Sequence, residues 1–195
     1  MIVLGVDIGV KKGCDAVLLG ASQVARPVGR VRTGDEFRAL LDDLSPEAVA
    51  IDAPPRWATD GRRKCEQELT RRAINLFTTP DELAGTTNSF YEWMQVGFEM
   101  FEVAKEYGPL ETFPHAIAVA INGCLPKDGK RASRVAALHA VGVDTRELRT
   151  IDQVDAALCA YTAWCWRKGD AISVGDDADG QITLPVAALL DRYAR

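Results

Sequence analysis

Residues 48–51 (AVAI) form an uninterrupted apolar run that stops on Asp52, with Pro54 and Pro55 close behind. A strand that is apolar at every position has no polar face to turn to water, so it belongs inside a sheet covered on both sides. The rest of the chain must supply neighbouring strands and helices for both faces, which is an α/β arrangement. Residues 1–7 (MIVLGVD) are β-branched and apolar and end at Asp7, and residues 16–19 and 24–31 read as two further strands separated by Gly and Ser. Such close succession predicts a meander. Phe37, Leu40, Leu41 and Leu44 then recur at helical spacing over 35–44, between Thr33-Gly34-Asp35 and Ser45-Pro46.

Downstream, residues 65–76 are charged and read as a helix, while 78–89 are rich in Thr, Pro, Gly and Asn and read as a mobile or site-closing loop. Residues 91–107 carry the 3.6 period, 110–113 form a short strand, and 116–121 and 131–141 read as helices. The last strong element, 153–168, sets Val154, Ala157, Leu158, Tyr161 and Cys165 on one face. A hairpin or irregular tail follows from 171, turning at 175–180. No repeat or linker composition divides the chain, so 1–195 reads as a single domain.

Composition bounds the function. With 195 residues, 47% hydrophobic and 26% charged, the chain is an ordinary globular one. A core of this size buries roughly 70% of the unfolded surface, so it needs no disulfide or structural metal. Cys14, Cys65, Cys124, Cys159 and Cys165 are odd in number and widely spread, and read as buried free thiols. The longest stretch without Asp, Glu, Lys or Arg, 112–126, contains Pro, His and Asn and is shorter than the roughly 20 apolar residues of a membrane span. The N-terminus lacks the pattern of a signal peptide, and the expected location is the cytoplasm. A net charge of −5 excludes coating of nucleic acid by bulk electrostatics and leaves room for a local basic track.

The acids carry the functional information. Asp7 ends the first strand, Asp52 ends the fourth, Glu111 lies in the next strand-like segment, and Asp152 and Asp155 open the last long helix. In an open sheet the carboxyl ends of neighbouring strands define the ligand crevice, so Asp7 and Asp52 converge there if their strands are adjacent. A helix docking its first turn on that edge adds Asp155, with Asp152 on nearly the same face or serving as the helix cap. Carboxylates gathered this way raise one another's pKa unless a cation compensates. Oxygen ligands alone favour Mg²⁺ or Mn²⁺ over zinc, and such ions activate water against a phosphodiester. Taken singly, each acid also reads as a cap, turn or surface residue.

The frame strand-strand-strand-helix-strand, with GVDIG first, AIDAPP at the fourth strand, then ETFPHA, Lys130-Arg131 opening a helix, and DQVDAALCAYTAW, resembles the DUF429 family of predicted nucleases. The resemblance runs from about Gly5 to about Trp164. It implies the ribonuclease H-like superfamily: a five-stranded mixed sheet of order 3-2-1-4-5, flanked by helices. It also implies acidic catalytic and metal-binding positions at Asp7, Asp52, Glu111 and Asp155, and a phosphate contact at Lys130.

Other signals are more local. Arg62-Arg63-Lys64, Arg71-Arg72 and the set Lys127, Lys130, Arg131 and Arg134 read either as phosphate contacts or as solvated helix faces. His115 reads as a proton carrier or substrate contact, or as a residue packed beside Pro114. Trp57 is placed to stack on a base, whereas Trp93, Trp164, Trp166 and His139 read as structural. The stretch 123–130 departs from a P-loop, with five residues between its glycines and Arg131 in place of Ser or Thr. The acidic 176–180 turn lacks the end ligands of an EF-hand. The leading expectation is a metal-dependent nuclease or phosphodiesterase acting on nucleic acid or a nucleotide. Beside it stand a non-catalytic binding module of the same fold and an actin-like or sugar-kinase-type phosphate binder, the last weakened by Lys11-Lys12 after the glycine.

Overall fold

The computed structural model describes residues 1–127 and 129–195; Asp128, within the 123–130 stretch, lies outside them. Strands β1 (Ile2–Asp7), β2 (Cys14–Gly20) and β3 (Arg26–Val31) form the antiparallel meander. Helix α1 (Gly34–Leu44) then carries the chain to β4 (Val49–Asp52), which lies parallel to β1, and the two-residue β5 (Leu110–Glu111) adds in parallel beyond it. The sheet order is β3-β2-β1-β4-β5, the order implied by the resemblance.

Alternation along the strands divides the core into two layers. Leu4, Val6, Val49 and Ile51 face α1 and α4 (Glu92–Val103), burying Phe37, Leu41 and Met100. Val3 and Ala50 face the other layer, built on α7 (Ile151–Lys168) with α5 (Pro114–Asn122) and α6 (Lys130–Ala140) packed against it. Both faces of β4 are therefore covered, as its apolar run requires. A second sheet, the hairpin β6 (Ile172–Asp176) and β7 (Gly180–Leu184), packs on α2 (Lys64–Arg71).

Local chemistry moves several boundaries. Helix α2 stops at Arg71, short of the periodic pattern, because Ala73 takes a left-handed φ of 67°. The 78–89 stretch is not all loop: Asp81 accepts from the Ala84 N–H and caps a short helix, α3 (Glu82–Thr87), against its Thr- and Gly-rich composition. Pro114 starts α5 earlier than expected, since its fixed φ suits the first helical turn. His139 and Trp166 are exposed, not packed; His139 hydrogen-bonds Thr145 across 2.7 Å. Four of the five free thiols are buried, and Cys124 is half-buried. Among the described residues, no helix is long and apolar enough to cross a membrane.

Candidate active site

Gly5 fixes the geometry of the site. A Cβ there would lie 2.0 Å from the Ala156 carbonyl oxygen and 2.2 Å from the Ala160 nitrogen, so only glycine lets α7 rest directly on β1. Asp7, two residues on, points to that same face, and Asp155 precedes the contacting turn of α7. The β1–β4 register pairs Asp7 with Asp52 directly, bringing both carboxyls to the C-terminal sheet edge. The two carboxyls act directly on one another. Asp152 lies one turn earlier on α7 and adds its charge. It is not the helix cap: Thr150 accepts from the Gln153 N–H, and Gln153 reaches back to complete a capping box.

The electrostatics follow from this crowding. Burial, then repulsion from Asp52, Asp155 and Asp152, pushes the Asp7 carboxyl up to about 10. Asp52 rises to about 7, through burial and then Asp155, with Arg134 pulling the other way. Burial also raises Asp155, against Arg134 and Lys130.

Arginines neutralise the flanking acids. Asp15, the other register partner of Asp7, is buried and accepts from Arg30 Nε at 2.8 Å. Asp155 pairs with the buried Arg134, and Lys130 Nζ lies 3.4 Å from its Oδ2. Glu111 is held by the fully buried Arg63, whose Nη2 donates to its two oxygens at 2.8 and 2.6 Å. The β4–β5 register pairs Glu111 with Ile51, one residue short of Asp52, and Glu111 lines the same cleft as Asp7 and Asp52. Burial pushes Glu111 up to about 7 despite Arg63, and the same pair raises the guanidinium pKa against the cost of its own burial. Asp7, Asp52 and Asp152 have no ion-pair partner among the described residues.

Asp7, Asp52, Asp152, Asp155 and Glu111 line a cleft of about 690 Å³ together with Lys130, Arg134, His115 and Trp93. His115 stands edge-on to Phe113 at 5.8 Å, and burial followed by Arg134 and Lys130 lowers its pKa. It is set up as a neutral imidazole. Trp93 packs against the α1–α4 core layer, as its helical pattern suggests, and also lines the cleft. Trp57 does the reverse: it does not line the cleft but packs edge-to-face on Phe98 at 4.7 Å, over Gly85, where a Cβ would meet its ring at 2.5 Å. Arg131 is exposed and donates to the Leu148 carbonyl, also outside the cleft lining. The 62–64 and 71–72 basic groups are largely structural: Arg63 holds Glu111, Lys64 pairs with Asp176, and Arg62 and Arg72 sit beside Glu66 and Glu68. Sequence reasoning missed the inward turn of Arg63 and Arg134, and that Asp15 extends the expected Asp7–Asp52 pair into a row across three strands. The only signal for Asp15 was its place at the start of the strand after the Gly9–Gly13 connection.

The fit of Mg²⁺ or Mn²⁺ turns on these donors. Among the described residues no three His, Cys, Asp or Glu side chains stand in a ready ligating group. The donor chemistry nonetheless suits a hard divalent cation: two register-matched carboxyls with no cationic partner, and a buried Asp155 Oδ1 with no hydrogen-bond partner. A cation there removes the repulsion that raises Asp7.

Comparisons with known proteins identify the family and the fold. The family model described as "Protein of unknown function (DUF429)" matches residues 5–180. No curated protein matches the sequence. Among solved structures, T. thermophilus RuvC in complex with Holliday junction substrate is similar at 17% identity and TM-score 0.51, covering 87% of this chain and 96% of RuvC. Another Thermus thermophilus RuvC structure is similar at 17% identity and TM-score 0.49, with 87% and 97% covered. The chain thus belongs to the DUF429 family, and its mixed sheet of order 3-2-1-4-5 is a ribonuclease H-like fold.

Proposed function

We propose that the protein is a Mg²⁺- or Mn²⁺-dependent nuclease or phosphodiesterase whose centre is Asp7, Asp52, Asp152 and Asp155. The observation that carries this is selective neutralisation: Asp15, Asp155 and Glu111 each have an arginine, while Asp7 and Asp52, in the cleft, have none. Carboxylate repulsion with no direct ion pair to relieve it is costly in a buried site and is characteristic of functional positions. Asp7 and Asp52 would hold the cation, with Asp155 Oδ1 and Asp152 completing the acidic side. A bound divalent ion supplies activation of water and stabilisation of the leaving oxygen. Arg134 orients Asp155 by occupying its Oδ2. Lys130, with its side chain 63% exposed, can swing from Asp155 to a substrate phosphate. His115, neutral and at the wall, can accept a proton from the attacking water.

Relative to the sequence expectation, Glu111 moves from ligand to structural anchor and Asp152 replaces it. Trp57 and Arg131 lose their proposed substrate roles because neither lines the cleft. Nucleic acid as substrate is supported by the RuvC likeness in fold and by Lys130 at the cleft wall. The test is calorimetric Mg²⁺ and Mn²⁺ titration of wild type and Asp7→Asn, with cleavage of labelled oligonucleotides followed in parallel. Binding and cleavage lost together in the variant support the assignment; cleavage unchanged by Asp7→Asn sinks it.

A further inference from the structure

The cleft mouth carries aromatic side chains that the hydrolytic centre does not use. Phe77 lines the cleft yet is 64% exposed, and Phe90 is 51% exposed. Their rings meet edge-to-face at 5.3 Å, and Phe90 meets Tyr91 the same way at 5.1 Å. Large exposed aromatics gathered at one point mark a binding surface. Phe77 shares the cleft with Lys130, so an apolar π-surface and a mobile cation border one space.

We infer that Phe77 and Phe90 form a stacking platform for an unpaired nucleobase whose phosphate reaches Lys130, so the substrate is nucleic acid with unpaired nucleotides rather than continuous duplex. This rests on the nuclease reading of the same cleft. A nucleotide presents a flat π-face and a negative phosphate together, matching the two kinds of wall. In a continuous duplex the base faces are covered by their neighbours, leaving Phe77 nothing to stack on. An apolar protein segment would match the phenylalanines and offer no anion to the exposed end of Lys130.

The experiment measures fluorescence anisotropy of a labelled single-stranded oligonucleotide and the same sequence as blunt duplex, with cleavage silenced by Asp7→Asn. In that background Phe77→Leu with Phe90→Leu keeps the apolar bulk and removes the π-faces, while Phe77→Trp keeps a ring. Single-strand affinity should fall about tenfold in the double leucine variant and hold within about twofold for tryptophan, with duplex binding nearly unchanged. Equal single-strand affinity with and without the rings overturns the inference, as does an equal loss for duplex. Sedimentation velocity of wild type and the leucine variant covers the remaining occupant: a dimer that dissolves on substitution assigns the patch to a second copy and overturns the inference. Ring-dependent binding in a wild type that cleaves none of these probes with Mg²⁺ or Mn²⁺ overturns the nuclease reading and leaves the base platform. Cleavage indifferent to the rings does the opposite.

Discussion

Glu111 and Asp7 lie at the carboxyl ends of strands in one sheet and border one cleft, yet the chain treats them differently. Glu111 receives a guanidinium that also ties Asp179, Thr79 and Cys65 together, making it a joint between α2, β5 and the β6–β7 hairpin. Asp7 receives another carboxyl. An acid with both oxygens held by an internal cation is committed to the structure, whereas one with an unpartnered oxygen, or left against its own kind, is available to a cation from outside. Location at a strand end does not separate the two; the neighbour does.

The contrast is most sharply broken at Arg63. Arg63→Met should cost about 3–5 kcal/mol in urea unfolding, because it strands a buried carboxylate, and adding Glu111→Leu should recover most of that loss. A single variant as stable as wild type would show that Glu111 is not anchored as described. At the other acid the cost falls on chemistry. Asp7→Asn should reduce metal-dependent cleavage by at least a hundredfold, the scale lost when one charge-stabilising group is removed.

The same substitution should stabilise the metal-free fold. Asp7 is raised from 3.8 to about 10 and Asp52 from 3.8 to about 7, so the folded state binds more protons than the unfolded state. That stabilisation is complete below the unfolded pKa and is lost as pH rises through 7 toward 10. In EDTA, the Tm of wild type should therefore fall between pH 6 and pH 9, and Asp7→Asn should flatten the fall. A gain of about 1 kcal/mol corresponds to about 2–4 °C at this chain length. Added Mg²⁺ or Mn²⁺ should stabilise wild type more at pH 8 than at pH 6, visible by scanning calorimetry. The smallest effect belongs to Lys130→Ala, which should weaken oligonucleotide binding a few-fold and reduce the salt slope by about one.

The sequence carried the sheet plainly, because apolar runs ending in Asp7 and Asp52 and the helical periods over 35–44 and 153–168 each answer to a single physical pattern. Asp7, Asp52 and Asp155 were legible for the same reason. Glu111 was not, because its role is set by Arg63, which reaches it from 48 positions away in the chain, and nothing local to Glu111 marks that partner. Arg63 was hidden between Arg62 and Lys64, whose company suggested a solvated charge run. Trp57 beside a Pro turn looks the same whether it meets a base or, as here, the bare backbone of Gly85. Phe77 and Phe90 went unremarked because they sit apart from any periodic pattern.

The seat of α7 on Gly5 has a consequence in time. The acidic centre joins residue 7 to residues 152 and 155, among the most distant partners in the chain, and it does so through a helix that cannot dock until it has been made. A ribosome that has delivered β1 and β4 has delivered two carboxyls and no helix to close over them. The nascent protein therefore emerges without its full centre, which comes together only when the last quarter of the chain folds back onto the first strand.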